Sequence, residues 1–260
     1  MDEKLKISQS ILKDYAAYIQ NSLCGKVFIE KHIDGNSPPP SDAMELGNWF
    51  EYKCTNQLPR DGHTPEAKTL KNGNLSIDYK RMSSQVEEFK NMMSIHGFKI
   101  LHTGYQFNKH KFGTGIADII AFDSKGKHCI IDVKTTGLFN DKWSDFGWDL
   151  ETLTNKDGLL IQAVQYLLLA EKEFDKDFDF YFAVFSTKKE KDVKLIKVNV
   201  DLDRMHQHEI YLANTYKVIN DDIKNKRFKA IPDYTKCSSC YLEESCSDKA
   251  KTVKINEIWY

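Results

Sequence analysis

Gly115-Ile116-Ala117-Asp118-Ile119-Ile120-Ala121-Phe122 and His128-Cys129-Ile130-Ile131-Asp132-Val133-Lys134-Thr135-Thr136 are two β-rich apolar runs, separated by Asp123-Ser124-Lys125-Gly126-Lys127. A three-residue loop, Ser124-Lys125-Gly126, with glycine at its left-handed position predicts a hairpin. That loop pairs Phe122 with His128, Ile120 with Ile130 and Asp118 with Asp132. Successive side chains alternate faces, so Asp118, Asp132 and Lys134 point the same way. Ile119, Ala121, Cys129, Ile131 and Val133 line the opposite, core-facing side, which predicts a hairpin buried on one face. Directly opposed carboxylates have β-carbons about 5 Å apart, and such a pair is destabilising unless something cationic lies between. A divalent ion meets that need, and hard oxygen ligands suit Mg²⁺ or Mn²⁺. An Asp-x-Lys also ends many ordinary strands as a plain ion pair, so the motif alone leaves both readings open.

The rest of the composition narrows the class. The chain has 260 residues, 41% hydrophobic and 29% charged, which is globular usage. We read it as a single domain over 1–260, with a helical part (1–97), an α/β core (98–200) and a C-terminal helix and cysteine loop (201–260). No apolar run reaches membrane-span length, and Met1-Asp2-Glu3-Lys4 lacks the apolar stretch of a secretory signal. The expectation is a cytoplasmic protein with no membrane partner. The formal net charge of -1 excludes a globally basic nucleic-acid binder, so any DNA contact must use local patches. Three basic clusters exist: Lys109-His110-Lys111; Lys188-Lys189 with Lys191 and Lys194; and Lys224, Lys226, Arg227 and Lys229. Only the first is close to the acidic pair in sequence, and each can be simple solvated surface.

Six cysteines in a cytosolic chain do not suggest disulfides. Cys237-Ser-Ser-Cys240-Tyr-Leu-Glu-Glu-Ser-Cys246 packs three of them into a short C-terminal run, a spacing that points to a metal or cluster site. A fourth ligand must come from elsewhere. Cys129 falls on the core face of the hairpin, Cys54 on a helix can be a plain buried thiol, and Cys24 is the best candidate.

Periodicity and punctuation give the remaining elements. A helix is predicted over Ser8 to Leu23. Another runs from Asp42 to about Thr55, after Pro38-Pro39-Pro40-Ser41, and carries Gly47 and Glu51 on one face. Glu51 can equally be an ordinary surface glutamate, and nothing in the linear order brings it to the aspartates. Asn56 to Tyr79 reads as loop. Ser84-Gln85-Val86-Glu87 has the form of a capping box opening a helix that Gly97 closes. Phe98 to Phe107 is predicted as a strand. Trp143 to Trp148 reads as an aromatic loop, for packing or for stacking a base. Thr154 to Asp157 caps a helix to about Phe174 that carries Gln162 and Tyr166 at i,i+4. Strands follow over Phe178 to Thr187 and Val193 to Val200, then a polar helix from Asp201 to about Arg227. The order predicts an α/β core around a mixed sheet flanked by helices.

Together these pieces resemble the PD-(D/E)XK nuclease superfamily, and within it the RecB-like exonuclease branch that carries an iron–sulfur cluster and includes the AddB nuclease domain and CRISPR-adaptation nucleases. Gly115-Ile-Ala-Asp118 matches the first acidic motif, Asp132-Val133-Lys134 the D/E-x-K motif, Gln162-x-x-x-Tyr166 the Q-x-x-x-Y motif, and Cys24 with Cys237, Cys240 and Cys246 the split cysteine pattern. The branch's G-x-x-x-H stands here as Gly47-x-x-x-Glu51, and Ala117 replaces a proline. The resemblance implies a restriction-endonuclease-like fold whose N- and C-terminal segments join at the cysteine cluster. It implies metal-dependent hydrolysis of DNA, of single strands or ends. Asp118, Asp132, Glu51 and the Val133 carbonyl would hold Mg²⁺ or Mn²⁺. Lys134 would position water, Gln162 would orient substrate or Lys134, and Tyr166 would support the strand. It further implies a structural [4Fe–4S] cluster, with four-thiolate zinc as the alternative, and protein partners in a recombination, phage or CRISPR-adaptation complex. A non-catalytic DNA-binding module of the same fold and an RNA-directed nuclease are the alternatives.

Overall fold

The computed structural model describes residues 4–59, 62–137, 139 and 153–250, with the side chains of 153–159 left out of the description. The chain forms two compact units, one from Pro40 to Ala213 and one from the segments up to Pro39 and from Asn214 onward.

The larger unit is built on five strands: β1 (Lys99–Phe107), β2 (Gly115–Phe122), β3 (His128–Thr136), β4 (Phe178–Ser186) and β5 (Val193–Val198). They lie in chain order across one sheet. Every neighbouring pair is antiparallel except β3 and β4, which are parallel. A parallel pair needs a long crossover, and helix α5 (Leu153–Phe174) supplies it. The β2–β3 register has Phe122 opposite His128 and Ile120 opposite Ile130, as the Ser124-Lys125-Gly126 loop predicts. Gly126 sits at φ 79°.

Both faces of the sheet are covered. On one side Ala163, Tyr166, Leu167, Leu169 and Ala170 of α5 pack over Phe107, Ala117, Ile120, Ile130, Phe180, Phe182 and Val184. On the other side Leu46, Trp49 and Phe50 of α3 (Asp42–Thr55) and Tyr79, Met82, Phe89, Met92 and Met93 of α4 (Ile77–Ile95) pack over Ile119, Ala121, Cys129, Ile131, Val133, Ala183 and Phe185. The expectation of a hairpin buried on one face is therefore corrected. The aspartate-bearing face also lies under a helix, and strands covered on both sides read as near-continuous apolar runs.

Two further expectations change. Ser84 lies inside α4, which begins at Ile77 after Ser76. Burial of Tyr79 and Met82 extends the helix upstream of the sequence that resembled a capping box. The Trp143 to Trp148 loop lies outside the described residues, as do the side chains of Thr154 to Asp157, whose backbone falls within α5. Helix α3 has the boundaries expected of it, and the Ser41 hydroxyl accepts from the Met44 amide at 3.3 Å.

The smaller unit contains α1 (Gln9–Ile19), α2 (Gly25–His32), the later turns of α6 (Leu202–Lys224) and α7 (Tyr234–Cys237). Its packing centres on aromatic rings: Phe28 stacks on Phe228 at 4.5 Å, and Tyr15 and Tyr18 close around Phe228. The Asn220 amide satisfies both backbone groups of Leu5, at 2.9 and 3.0 Å. Gly25 is required here, since a β-carbon would lie 2.4 Å from the Lys229 carbonyl oxygen.

Candidate active site and cysteine cavity

At the β2–β3 end of the sheet the antiparallel ladder stops at the Ile119–Ile131 pair. Asp118 and Asp132 are thus not a directly paired couple. Instead the Asp118 carboxylate takes the place of a strand carbonyl and accepts the Val133 amide at 2.8 Å. What β3 presents to Asp118 at Val133 is its N–H.

Asp132 is only 1% exposed. One of its oxygens accepts from Gln162 Nε2 of α5 at 2.7 Å, and the other faces the Lys134 ammonium at 2.5 Å. Gln162 thus orients Asp132, the partner of Lys134. Tyr166, one turn on, is buried with its ring among Phe107 and Phe180. Gly115 makes room for it: a β-carbon there would stand 2.7 Å from Tyr166 Cε1. The Gly115 of the acidic motif thus serves the packing of the α5 tyrosine.

Glu51 reaches this cluster from α3, on the opposite side of the sheet. Gly47 lets the helix approach the end of β3, since a β-carbon on it would be 3.3 Å from Thr135 Oγ1. Sequence reading passes over Thr135, for which the only signal is a glycine one turn before Glu51 that needs a close neighbour. Burial raises the carboxyl pKa of Glu51, with the Asp132 charge adding to the effect. Burial likewise pushes Asp118 well above the usual carboxylate range, helped by Asp132 and Glu51. Burial also raises Asp132 in spite of Lys134. Burial alone would lower Lys134, but Asp132 and Asp118 outweigh it and hold the amine protonated. Three acids, Asp132 buried and Asp118 and Glu51 half-buried, face one ammonium, a net negative oxygen-rich site whose deficit is of the size a divalent cation supplies. Among the described residues, no three His, Cys, Asp or Glu side chains stand close enough together to hold an ion as they are placed.

A family model described as the PD-(D/E)XK nuclease superfamily matches residues 31–247. The chain belongs to the PD-(D/E)XK nuclease superfamily. In this superfamily member the sheet and helices resemble solved exonuclease structures. One is a provisionally assigned exonuclease from Eubacterium rectale, 20% identical, with a TM-score of 0.62 over 96% of this chain and 91% of that chain. Another is the alkaline exonuclease LHK-Exo from Laribacter hongkongensis, 10% identical, with a TM-score of 0.45 over 86% of this chain and 94% of that chain. At 20% identity the likeness to the Eubacterium rectale structure is one of fold. No curated protein matches the sequence. The matched span includes Glu51, Asp118, Asp132, Lys134 and Gln162, as well as Cys237, Cys240 and Cys246, and leaves out Cys24.

The cysteines of this nuclease-superfamily chain divide by environment. Cys24, Cys237, Cys240 and Cys246 all line one cavity of about 480 Å³ in the smaller unit, together with Pro38, Pro39 and Ile231. None is in a disulfide. The Cys24 sulfur accepts from the Ile231 amide at 3.4 Å and the Cys237 sulfur from the Ala250 amide at 3.5 Å. Cys129 is buried in the sheet, where burial pushes its thiol up to about 12. Burial also raises the Cys54 thiol, reinforced by Glu51. Both are inert packing thiols.

The basic clusters sort differently from their sequence positions. Lys109 is tied to Glu173, which also accepts the Asn108 and Lys109 amides at 2.9 and 2.8 Å. His110 is buried, and its Nδ1 accepts from Gly113 at 2.9 Å. The basic stretch closest to the acidic pair in sequence is thus used to fold the β1–β2 connection. Among the described residues, no helix is long and apolar enough to cross a membrane.

Proposed function

We propose that the protein is a deoxyribonuclease that hydrolyses phosphodiester bonds with a divalent metal, acting on single-stranded DNA or DNA ends as an exonuclease. The observation that carries this reading is Asp132. It is held from one side by Gln162 and from the other by Lys134, and its charge raises the carboxyl pKa of both Asp118 and Glu51. A strand-end lysine paired with one aspartate needs no further acids.

The donor set fits Mg²⁺ or Mn²⁺, with Asp118, Asp132, Glu51 and the Val133 carbonyl as the groups that would hold it. A bound ion there would polarise the phosphate and lower the pKa of an attacking water. The chain's own contribution is orientation and charge. Gln162 fixes the Asp132 rotamer, and the Val133 amide fixes Asp118. Lys134, kept protonated by both aspartates, is placed to offset charge that develops on the phosphate oxygens. Tyr166, one turn on from Gln162, packs between Phe107 and Phe180 and so braces the helix that carries Gln162.

End-labelled single-stranded DNA, duplex DNA and RNA, each with Mg²⁺, Mn²⁺ or chelator, test the reading and reveal polarity. DNA cleavage that needs metal is expected, and Asp132→Ala or Lys134→Ala should lower it by roughly 10³-fold, the scale of losing an electrostatic catalytic group. Full activity in either variant removes the mechanism, and cleavage of RNA alone replaces the substrate.

The cysteine cavity supports a second element of the proposal, a [4Fe–4S] cluster on Cys24, Cys237, Cys240 and Cys246. Backbone N–H groups aimed at two of the sulfurs favour thiolates. Protein purified anaerobically should be brown and absorb broadly near 400 nm, roughly as Cys₄ clusters do. A colourless protein with stoichiometric zinc assigns the same ligands to zinc.

A further inference from the structure

The turn Lys188-Lys189-Glu190-Lys191 stands at the active end of the sheet, which its sequence position does not suggest. Because β3 and β4 are parallel, their C-terminal ends lie side by side, Lys134 beside Val184 and Thr136 beside Ser186. The turn is joined to the end of β3 by the Thr187 amide, which donates to the Thr136 carbonyl at 2.9 Å. A β-carbon on Gly137 would lie 3.3 Å from Lys188 Cε. Gly137 is three residues beyond Lys134, about 10 Å along an extended chain. A stacked nucleic-acid strand covers that distance in about three nucleotides.

The turn is also anchored from beneath. Gln85 of α4 is fully buried on a helix face that otherwise packs apolar side chains. Its Nε2 lies 3.1, 2.9 and 3.2 Å from the carbonyl oxygens of Ser186, Lys189 and Asp192. The Ser186 hydroxyl accepts from the amides of Lys188 and Lys189, at 3.2 and 3.1 Å. All these bonds go to backbone. The side chains of Lys188, Lys189 and Lys191 are exposed and outnumber that of Glu190. A run of lysines is ordinarily just solvated surface. Here a buried amide orders the backbone at the mouth of an acidic site while the ammonium groups stay in water. At the other end of the sheet, Lys127 and Lys197 are instead spent on Asp179, each at 2.5 Å.

We infer that Lys188, Lys189 and Lys191 bind phosphates of the DNA strand flanking the scissile bond, with Gln85 as the positioning residue that holds their turn. This rests on the nuclease reading above. The test is binding of a fluorescent single-stranded oligodeoxynucleotide in chelator, across a salt series, alongside steady-state cleavage. In the K188Q/K189Q/K191Q variant, affinity should fall at least tenfold at low salt. The slope of log affinity against log salt should flatten by about 2, since each single-strand phosphate contact contributes about 0.7. KM should rise while kcat at saturating DNA stays within about threefold. The K188R/K189R/K191R variant should keep the parent affinity. Gln85→Leu, with every lysine present, should also flatten the slope, which a loss of stability alone would not do. An unchanged affinity and slope in the glutamine variant overturns the inference. If that chain still cleaves DNA, only this inference falls. If the slope changes as expected but no metal supports cleavage, only the nuclease reading falls. A parent chain that binds no DNA overturns the inference outright.

Discussion

Asp118 and Asp132 show how far single residues were legible. Alternation along two strands placed both carboxylates and Lys134 together, and the structure keeps them in electrostatic contact. The expected direct pairing of the two acids does not form, because a side chain replaces the backbone at that rung: Asp118 accepts the Val133 amide. Period-2 patterns count rungs but do not show which group fills them. Glu51 was equally hidden, since its reach depends on how closely α3 packs, and that closeness is visible only in the contact Gly47 permits with Thr135. Gly115 carries a sharper consequence. It was read as part of an acidic motif, yet a β-carbon there would meet Tyr166 at 2.7 Å. Gly115→Ala should destabilise the protein by about 1–3 kcal/mol, the usual cost of overpacking. Urea unfolding reads this, and a midpoint equal to the parent's would show that Tyr166 yields freely. Asp118→Asn should leave the Val133 hydrogen bond possible while removing a charge that repels its neighbours. Stability should therefore hold or rise by up to about 1 kcal/mol while cleavage is lost.

At the scale of elements, punctuation was more reliable than pattern matches. Gly97 was expected to end a helix, and it does, at φ 65° just after α4. Ser84-Gln85-Val86-Glu87 had the form of a helix start, and it is not one. The Ser83 hydroxyl donates back to the Tyr79 carbonyl at 2.9 Å, one turn earlier, as serine does within a helix. What overrode the local signal was burial of Tyr79 and Met82 against the sheet, which single-sequence capping rules do not see. The two assignments predict opposite outcomes. Ser84→Ala should leave stability within about 0.5 kcal/mol of the parent, since alanine is the better mid-helix residue. A capping serine would cost about 1 kcal/mol instead. Gly97→Ala should cost about 1–2 kcal/mol, from the left-handed backbone and a β-carbon 2.9 Å from Ser124 Cβ. Thermal melts of both variants, run together, separate the signals. Gln85, inside the misread box, was legible only as a polar residue, because its three carbonyl partners lie about a hundred positions away in sequence.

For the molecule as a whole, the alternation of helix and strand signals was enough to predict a mixed sheet, but not that both its faces would be covered or that the chain would form two compact units. Burial between layers also creates a pH dependence with no sequence signature. His208, in the part of α6 that belongs to the larger unit, is buried, and its Nε2 has no hydrogen-bond partner among the described residues. Burial lowers its pKa to about 4, and the nearby His110 adds to the effect. Glu209, 3.8 Å from His110, is the acid on that side. An unfolded histidine titrates near 6.5, so between about 6.5 and 4 the unfolded chain binds a proton that the folded chain refuses. Stability is therefore full above about pH 6.5 and falls as the pH drops through that window, by an amount on the order of 2–3 kcal/mol at about 1.4 kcal/mol per unit. The raised carboxyls of Glu51, Asp118 and Asp132 take up protons in the folded chain as the pH falls and act in the opposite direction, so the histidine's share is read as the difference between the parent and His208→Leu. Chemical denaturation at pH 7.5, 6, 5 and 4.5 should show the loss, and His208→Leu should remove most of it by taking away the titrating group while filling the same apolar space. A slope that persists in His208→Leu would assign the acid sensitivity elsewhere, with His110 the next group to replace.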